Sequence, residues 1–159
     1  MSSERVVLIA PAATVLIAEP TVESRPIADS ELRDVAQLLV EASIGDLSLD
    51  DAQAKIDGLV AGGTGEPRRD AWLGIWQGTG LPVSAILCTT WRGMPFIATV
   101  ATAVAMRERG YASSLVRAAT SVLESTGATH VGISLERDSS AMHLFRELGF
   151  VEMFSTDEA

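Results

Sequence analysis

The sequence predicts a single α/β (α+β) domain in which a mixed, mostly antiparallel twisted sheet is flanked by about four helices. Three β-rich runs follow one another with short turns over residues 71–104, which is typical of an antiparallel meander. Other stretches carry apolar residues at helical spacing. At 159 residues the chain suits one domain with a sizeable core. Residues 1–20 are expected to add an extra strand segment to a core over residues 21–154.

Composition and charge limit the classes of function. The chain is 47% hydrophobic and carries a net charge of −9, which argues against nucleic-acid binding and fits either a cationic substrate or simple solubility. The single cysteine, Cys88, excludes an internal disulfide and is expected to be a buried, inert thiol in a reducing compartment. The apolar runs before and after Pro11 are shorter than a membrane span. These features predict a cytoplasmic protein without a membrane partner.

The N-terminal segment is predicted to be extended. Residues 5–19 contain two short apolar runs on either side of Pro11-Ala12-Ala13, which indicates a loose hairpin. Residues 21–25 indicate a further short strand, which Pro26 would end.

Two helices are predicted next. Asp29 or Ser30 is suited to cap the first helix, and Gly45 is suited to end it. Ser48 is suited to cap the second helix, which Gly62-Gly63 would end. The apolar positions recur at helical spacing and comprise Leu32, Val35, Ala36, Leu39 and Ala42 in the first helix and Ala52, Ile56, Leu59 and Val60 in the second.

The second half of the chain predicts the meander and an alternation of helices with strands. The meander strands are expected over residues 71–77, 83–91 and 96–104. A third helix is expected from Ala112 to the stop at Gly127. A strand then carries Val131, Ile133 and Leu135, a helix capped by Asp138 or Ser139 ends at Gly149, and a short strand covers residues 150–154.

The most informative stretch is the loop Arg107-Glu108-Arg109-Gly110-Tyr111-Ala112, which follows the third meander strand and opens a helix. A strand, a glycine-bearing turn and a helix start together place unpaired backbone N–H groups and a helix dipole at one point, which suits a phosphate. Its two arginines reverse the acidic character of the chain locally. A turn with solvated arginines is the alternative. The glycine patterns of dinucleotide and Walker sites are absent.

The order of elements and two motifs resemble the Gcn5-related N-acetyltransferase (GNAT) family from about Glu23 to Phe154. Arg107-x-x-Gly110-x-Ala112 resembles the family's (Gln/Arg)-x-x-Gly-x-(Gly/Ala) loop, which holds the pyrophosphate of acetyl-coenzyme A. The stretch from Asp138 to Phe150 resembles its Asn-x-x-Ala-x-x-Leu-Tyr-x-x-Leu-Gly-Phe motif. The resemblance implies a GNAT-like acyl-CoA N-acyltransferase fold and direct acetyl transfer, without a metal, to a primary amine of a small molecule or peptide.

The resemblance also implies roles for individual residues. Val100 and Thr102 would offer backbone groups to the acetyl carbonyl and to the pantetheine amide, with the Val100 N–H as oxyanion donor. The loop would wrap the pyrophosphate, and Ser113 would add a donor. The implied cofactor contacts are Val100, Thr102, Arg107, Arg109, Gly110, Tyr111, Ala112, Ser113, Asp138 and Phe145.

Three positions depart from the family pattern. Phe145 stands where the family usually has a tyrosine that protonates the departing thiol, and Asp138 replaces the usual asparagine. The nearest acidic candidate for a general base is Glu136, which could equally be a solvated strand-end charge. These departures leave two alternatives to the enzyme: a catalytically degenerate acyl-CoA-binding module with a regulatory or interaction role, and a scaffold that dimerises through its sheet edge.

The acceptor and the C-terminus carry two further expectations. An acidic, aromatic rim between the first two helices and the meander would suit a cationic amine, although the acids could simply favour helix starts. The rim candidates are Asp46, Asp50, Asp51, Asp57, Trp72, Trp76 and Trp91. The family usually adds a seventh strand that this sequence does not provide after Phe154. Residues 6–18 are expected to fill that place in the sheet or to pair with a second subunit in a homodimer.

Overall fold

A computed structural model describes residues 4–43 and 46–155, which build an eight-stranded sheet with helices on both faces. The strands are β1 (Arg5–Pro11), β2 (Arg25–Pro26), β3 (Glu66–Pro67), β4 (Leu73–Ile75), β5 (Ser84–Trp91), β6 (Met94–Thr102), β7 (His130–Glu136) and β8 (Val151–Ser155). The α-helices are α1 (Ala12–Val15), α2 (Leu32–Ala42), α3 (Leu49–Val60), α4 (Tyr111–Ser125) and α5 (Ala141–Glu147). The predicted break of the first helix at Gly45 lies outside the described residues. No helix in the described part of the chain has the length and hydropathy to cross a membrane.

The sheet order is β2-β4-β5-β6-β7-β1-β8, with β3 paired to β5 outside this path. Every strand pair is antiparallel except β6 with β7. The predicted meander is therefore present as β4, β5 and β6, and the predicted fold class is confirmed. The first meander strand is shorter than expected because residues 69–71 form a 3-10 turn before Leu73.

The N-terminal strand β1 lies between β7 and β8 and is antiparallel to both. Its pairing with β7 runs without interruption from Arg5 opposite Glu136 to Pro11 opposite His130. Val6, Val7, Leu8 and Ala10 are almost completely buried. Of the two expectations for this segment, the structure shows the one in which it fills a position in the sheet.

Strands β6 and β7 separate soon after they meet. They pair only at Phe96 with Gly132 and at Ile97 with Ile133. A β-bulge follows directly, because Leu87 pairs with Thr99 and Cys88 with Ile97, which leaves Ala98 as the extra residue of β6. The strands then diverge and leave one edge of β6 open over residues 98–102.

The apolar core has two parts, one on each side of the sheet. The helices α4 and α5 pack on one face around Leu115, Leu123 and Phe145. The helices α2 and α3 pack on the other face around Leu38 and Ile56. Most residues of the predicted apolar faces are buried or partly buried in these helices. Val60 is a wrong prediction because it is exposed, and Leu38, which lies outside the predicted face, is completely buried.

The structure corrects the predicted N-terminal hairpin. Only residues 5–11 form a strand, and residues 12–15 form the short helix α1. The backbone N–H of Ala12 donates to the carbonyl of Thr129 at 2.9 Å, and Val15 is buried in the core with α4. Residues 21–24 form no strand either, because the N–H groups of Thr21 and Val22 donate to the Ser114 hydroxyl and not to a neighbouring strand.

Two of the predicted helix starts are also corrected. The first helical turn is a 3-10 turn over Asp29–Glu31, and its N-terminal residue is Ala28, whose N–H donates to the Glu31 carboxylate at 2.9 Å. Asp29 does not cap the helix, since its carboxylate accepts from Arg69. The second predicted start is correct, because the Ser48 hydroxyl accepts from the Asp51 N–H at 3.1 Å. The start of α5 is the other correction, because its N-cap residue is Ser140, without a side-chain cap, and not Asp138 or Ser139. The Ser139 hydroxyl still accepts from the Ala141 N–H at 3.1 Å.

Candidate functional site

A cavity of about 920 Å³ opens where β6 leaves β7, and we call it the loop cavity. Its walls come from the end of β6, the last turn of α2, the start of α4 and one side of α5. The stretch Arg107–Ala112 is here called the phosphate loop, after the ligand that its motif predicts. All of its residues except Arg109 line the cavity, as does Ser113. The cavity therefore joins an open strand edge to a helix N-terminus.

The phosphate loop is held in a left-handed conformation at two positions. Glu108 has a φ of 64° and Gly110 has a φ of 81°, and Gly110 directly precedes α4. The first intrahelical hydrogen bond runs from the Ser114 N–H to the Gly110 carbonyl at 3.0 Å. The amides of Tyr111, Ala112 and Ser113 thus have no acceptor within the helix, and these three residues line the cavity.

The backbone of β6 presents polar groups to the same cavity. The Ala103 N–H donates to the Val83 carbonyl at 2.8 Å, which sets the alternation of the ladder between β5 and β6. The backbone N–H and C=O groups of Ala101 and Thr99 therefore form the ladder hydrogen bonds with β5. Those of Val100 and Thr102 face away from β5. These backbone groups lie on the edge that β7 leaves open. The main chain can therefore pair with an extended, amide-bearing ligand.

Arg107 lines the cavity but directs its guanidinium to main-chain carbonyls. Its Nη2 donates to the Ala42 oxygen at 2.7 Å, and its Nε donates to the Thr102 oxygen at 3.3 Å. Arg107 thereby connects the phosphate loop to both α2 and β6. The sequence motif indicated the residue type, but the contact with Ala42, 65 residues earlier, gave no local signal.

A buried serine fixes the N-terminal segment against the start of α4. The Ser114 hydroxyl accepts hydrogen bonds from the N–H groups of Thr21 at 3.0 Å and Val22 at 3.1 Å. It also lies 3.1 Å from the Thr21 hydroxyl oxygen. Sequence reasoning missed this role, since a serine in the first turn of a helix is common and its partners lie more than ninety residues earlier.

Two aromatic residues close the inner part of the cavity. Tyr111 is mostly buried, and its hydroxyl accepts a hydrogen bond from Gln77. Phe145 is completely buried as a residue and packs edge-on against Phe150, with ring centroids 5.1 Å apart. The Phe145 ring itself has no exchangeable proton.

The structure brings most of the predicted site residues to this cavity. The lining includes Val100, Thr102, Arg107, Gly110, Tyr111, Ala112, Ser113 and Phe145. Three predicted residues, Arg109, Glu136 and Asp138, are not part of the described lining. Glu136 is exposed at the end of β7, where its carboxylate lies 4.0 Å from the Arg5 guanidinium. Among the described residues no group of three or more acidic, histidine or cysteine side chains could hold a metal ion.

A second cavity of about 660 Å³ adjoins the first, and we call it the α3 cavity. It lies between α3 and the sheet where β5, β6, β7 and β1 meet. Its walls are mainly apolar and include Leu59, Trp91 and Phe96. Lys55 of α3 lines both cavities and therefore marks their junction.

Lys55 is the only lysine of the chain. Its Nζ donates to the Thr99 hydroxyl at 3.2 Å, one residue before Val100 on β6. Lys55 is exposed as a residue, but partial desolvation of its amine and the nearby positive charge of Arg5 lower the pKa of Lys55 below its usual value. Sequence reasoning missed this residue, and the unusual scarcity of lysine is the one signal that could have drawn attention to it.

The predicted acidic and aromatic rim is not assembled. Asp46, Asp50, Asp51 and Asp57 are exposed and line neither cavity. Trp72 is completely buried, with its Nε1 donating to the Cys88 carbonyl at 2.8 Å, and Trp76 lies beneath the Arg25 guanidinium at 3.5 Å. Of the three tryptophans, only Trp91 is part of a described cavity lining.

Comparison with known proteins identifies similar chains. The profile of the FR47-like protein family matches residues 73–158. A GCN5-related N-acetyltransferase from Sphaerobacter thermophilus has 18% identity and a TM-score of 0.72 over 96% of this chain and 49% of its own. A GNAT-family acetyltransferase from Colwellia psychrerythraea has 14% identity and a TM-score of 0.73 over 95% of this chain and 53% of its own.

A third solved structure is of comparable length. The aminoglycoside 6'-N-acetyltransferase of Acinetobacter haemolyticus has 17% identity and a TM-score of 0.63 over 84% of this chain and 93% of its own. By contrast, this chain spans about half the length of the Sphaerobacter and Colwellia proteins. At these identities the likeness shows the fold. No curated protein matches the sequence.

Proposed function

This chain belongs to the FR47-like, GCN5-related N-acetyltransferase family, and from that premise we propose that it transfers an acetyl group from acetyl-CoA directly to a primary amine. The observation that carries the proposal is the loop cavity, where the open amides of the α4 N-terminus meet the open edge of β6. A diphosphate can accept hydrogen bonds from the amides at the α4 N-terminus. The peptide-like pantetheine arm can pair with the N–H and C=O groups at the β6 edge.

The residues of the loop cavity suit this cosubstrate. The amides of Tyr111, Ala112 and Ser113 would hold the pyrophosphate at the positive end of the α4 dipole. The backbone groups of Val100 and Thr102 would pair with pantetheine, and Phe145 would contact its thiol end. Arg109, outside the described lining, would contribute to the local positive potential. Asp138 is also outside the described lining and has no role in the proposed binding of acetyl-CoA.

The bond changes in the transfer define what the chain must supply. Acetyl-CoA supplies an activated thioester when it is bound. The acceptor nitrogen forms the new N–C bond, the C–S bond breaks, and one proton leaves the amine while one is taken up by the departing sulfur. The Val100 N–H would stabilise the negative charge that collects on the acetyl oxygen. Since Phe145 has no exchangeable proton, the sulfur would be protonated from water.

Two measurements test the proposal. Isothermal titration calorimetry should detect saturable binding of acetyl-CoA, and a panel of primary amines should release free thiol and gain the mass of one acetyl group. Absence of acetyl-CoA binding by folded protein would refute the proposal. Binding without thiol release across the panel would instead indicate a degenerate acyl-CoA-binding module.

The protein's own thiol will not disturb a thiol-release assay. Cys88 is completely buried, and burial raises the pKa of its thiol to about 12. Thiolate is the form that reacts with disulfide reagents, so folded protein should contribute no signal. The thiol released in the assay can therefore be counted as coenzyme A.

A further inference from the structure

The α3 cavity combines apolar walls with two cationic side chains. Arg5 enters it from β1 and Lys55 from α3, and the described lining contains no carboxylate side chain. The charges of Arg5 and Lys55 oppose each other, since Arg5 lowers the pKa of Lys55. Two cations beside a mainly apolar space are stabilised when an anion occupies that space.

The two cations differ in the partners of their charged groups. Lys55 Nζ donates to the neutral Thr99 hydroxyl, and among the described residues no carboxylate oxygen lies within 4.0 Å of it. Arg5 donates to the carbonyl oxygen of Ser134 at 3.0 Å and to its hydroxyl at 3.2 Å. The Glu136 carboxylate lies 4.0 Å from the Arg5 guanidinium, so Arg5 already has an anionic neighbour. Lys55 is therefore the cation better placed to take an anionic group.

The apolar wall of this cavity includes two aromatic rings. The rings of Trp91 and Phe96 lie 5.2 Å apart between centroids, with their planes tilted by 46°. Leu59 of α3 also lines the space. A planar apolar body would bury surface against these side chains while its charged group reaches Lys55.

We propose that the α3 cavity binds an acceptor amine with an aromatic or otherwise apolar body and a carboxylate that Lys55 recognises. This inference rests on the proposed function for the transfer itself, and it replaces the cationic acceptor that the acidic composition suggested. Because Lys55 lies at the junction with the loop cavity, an amine next to the carboxylate would lie near β6 at Thr99 and Val100. An α-amino acid with an aromatic side chain has this arrangement of groups.

A matched set of ligands tests the inference. Phenylalanine, its amide and phenethylamine share the ring and the amine, but only phenylalanine has the carboxylate. Steady-state thiol release should give a kcat/KM for phenylalanine at least about tenfold above the other two. The variant Lys55→Met keeps a long, unbranched side chain and removes its charge. It should raise the KM for phenylalanine about tenfold to a hundredfold and leave that for phenethylamine nearly unchanged.

Two controls separate this inference from the proposed function. Arg33→Gln removes an exposed charge on α2 that lines neither cavity, and it should change none of these constants. Binding of 3-phenylpropionate, which has no amine, is measured by calorimetry without any transfer and should weaken at least about tenfold in Lys55→Met.

The outcomes are distinct. If no amine releases thiol but 3-phenylpropionate binds in a Lys55-dependent manner, the ligand assignment stands and the transfer proposal fails. If thiol is released from all three amines with equal kcat/KM, or if 3-phenylpropionate binds equally to both proteins or to neither, the ligand assignment is overturned.

Discussion

The Arg107 guanidinium donates to the main-chain oxygen of Ala42 at 2.7 Å and so connects the phosphate loop to the last residue of α2. A cation at this position is favourable, because the C-terminus of a helix carries a partial negative charge. The same side chain donates to the Thr102 oxygen at 3.3 Å. The arginine of the loop motif therefore holds three elements of the loop cavity together.

Replacement of Arg107 should affect stability as well as ligand binding. We expect Arg107→Gln to lower the free energy of unfolding by about 1 kcal/mol, since an exposed charge-assisted hydrogen bond is lost. Calorimetric affinity for CoA should fall in the same variant. Arg109→Gln is the matched control, because Arg109 is exposed and lines neither described cavity, and its unfolding curve should coincide with that of the wild type. Equal melting temperatures for both variants would contradict a connecting role for Arg107.

Local features of this chain were predictable from the sequence. The left-handed Gly110, the start of α4 beside it and the cap at Ser48 each depend on residues that are close in sequence. The apolar faces of α2 and α4 follow in the same way, because the spacing of apolar residues alone defines them. The loop motif therefore lies at the loop cavity, as its position after the third meander strand leads one to expect.

Features that depend on distant residues could not be derived in the same way. The position of β1 between β7 and β8 results from pairing across about 125 residues, and the sequence allowed an intersubunit alternative. Lys55 reaches β6 through Thr99, forty-four residues later, although α3 alone suggests only a solvated lysine. The hairpin prediction failed because apolar residues after Pro11 fit a buried helical turn as well as a strand.

The positive φ of Gly110 leads to a second prediction. Gly110→Ala should destabilise the protein by about 1–2 kcal/mol through backbone strain, since an added Cβ would meet only Thr21 Oγ1 at an ordinary 3.7 Å. The same strain should displace the loop amides and weaken CoA binding. Gly78→Ala provides the control, because Gly78 has a φ of 75° and nothing within 4 Å of an added Cβ. It should reproduce the loss of stability with normal CoA affinity. Normal CoA affinity in both variants would show that the loop amides do not hold the ligand.

The buried position of β1 gives a third prediction. Leu8 is completely buried between neighbouring strands, and Leu8→Ala should lower the free energy of unfolding by about 2–5 kcal/mol. Ile17, which is 84% exposed just after α1, serves as the control, and Ile17→Ala should change stability by less than about 0.5 kcal/mol. Chemical denaturation with a single optical probe suffices for both. A Leu8→Ala protein as stable as the wild type would mean that β1 is not part of the folded sheet.

The ion pair of Arg25 with Glu31 predicts a dependence of stability on pH. Arg25 donates to both carboxylate oxygens of Glu31, at 2.9 and 2.7 Å, and the Ala28 N–H adds a third donor at 2.9 Å. These bonds lower the pKa of Glu31 from 4.5 to about 2. A lowered folded-state pKa means that the stabilisation is fully present above pH 4.5 and is lost as the pH falls towards 2.

Thermal melts of Glu31→Gln over this range test the ion pair. The melting temperature of the variant should lie below that of the wild type at pH 7, and the difference should shrink steadily between pH 4.5 and about 2. Arg25→Gln should give a similar profile, because it removes the principal partner of the carboxylate. If the melting temperature of Glu31→Gln stays below that of the wild type by the same amount down to pH 2, the loss of stability comes from the helix start and not from the ion pair.

Phe145 provides the sharpest test of the chemistry in the loop cavity. It lines the cavity where the resemblance implies the departing thiol, and its ring offers no proton. If water protonates the sulfur in the wild type, Phe145→Tyr should raise kcat towards the ~10²-fold that a positioned general acid contributes. The matched control is Phe150→Tyr, which adds the same hydroxyl to the ring packed edge-on against Phe145 and is not in the described lining. That variant should lose stability without gaining rate. A folded, CoA-binding Phe145→Tyr protein with unchanged kcat would show that protonation of the thiol does not limit turnover.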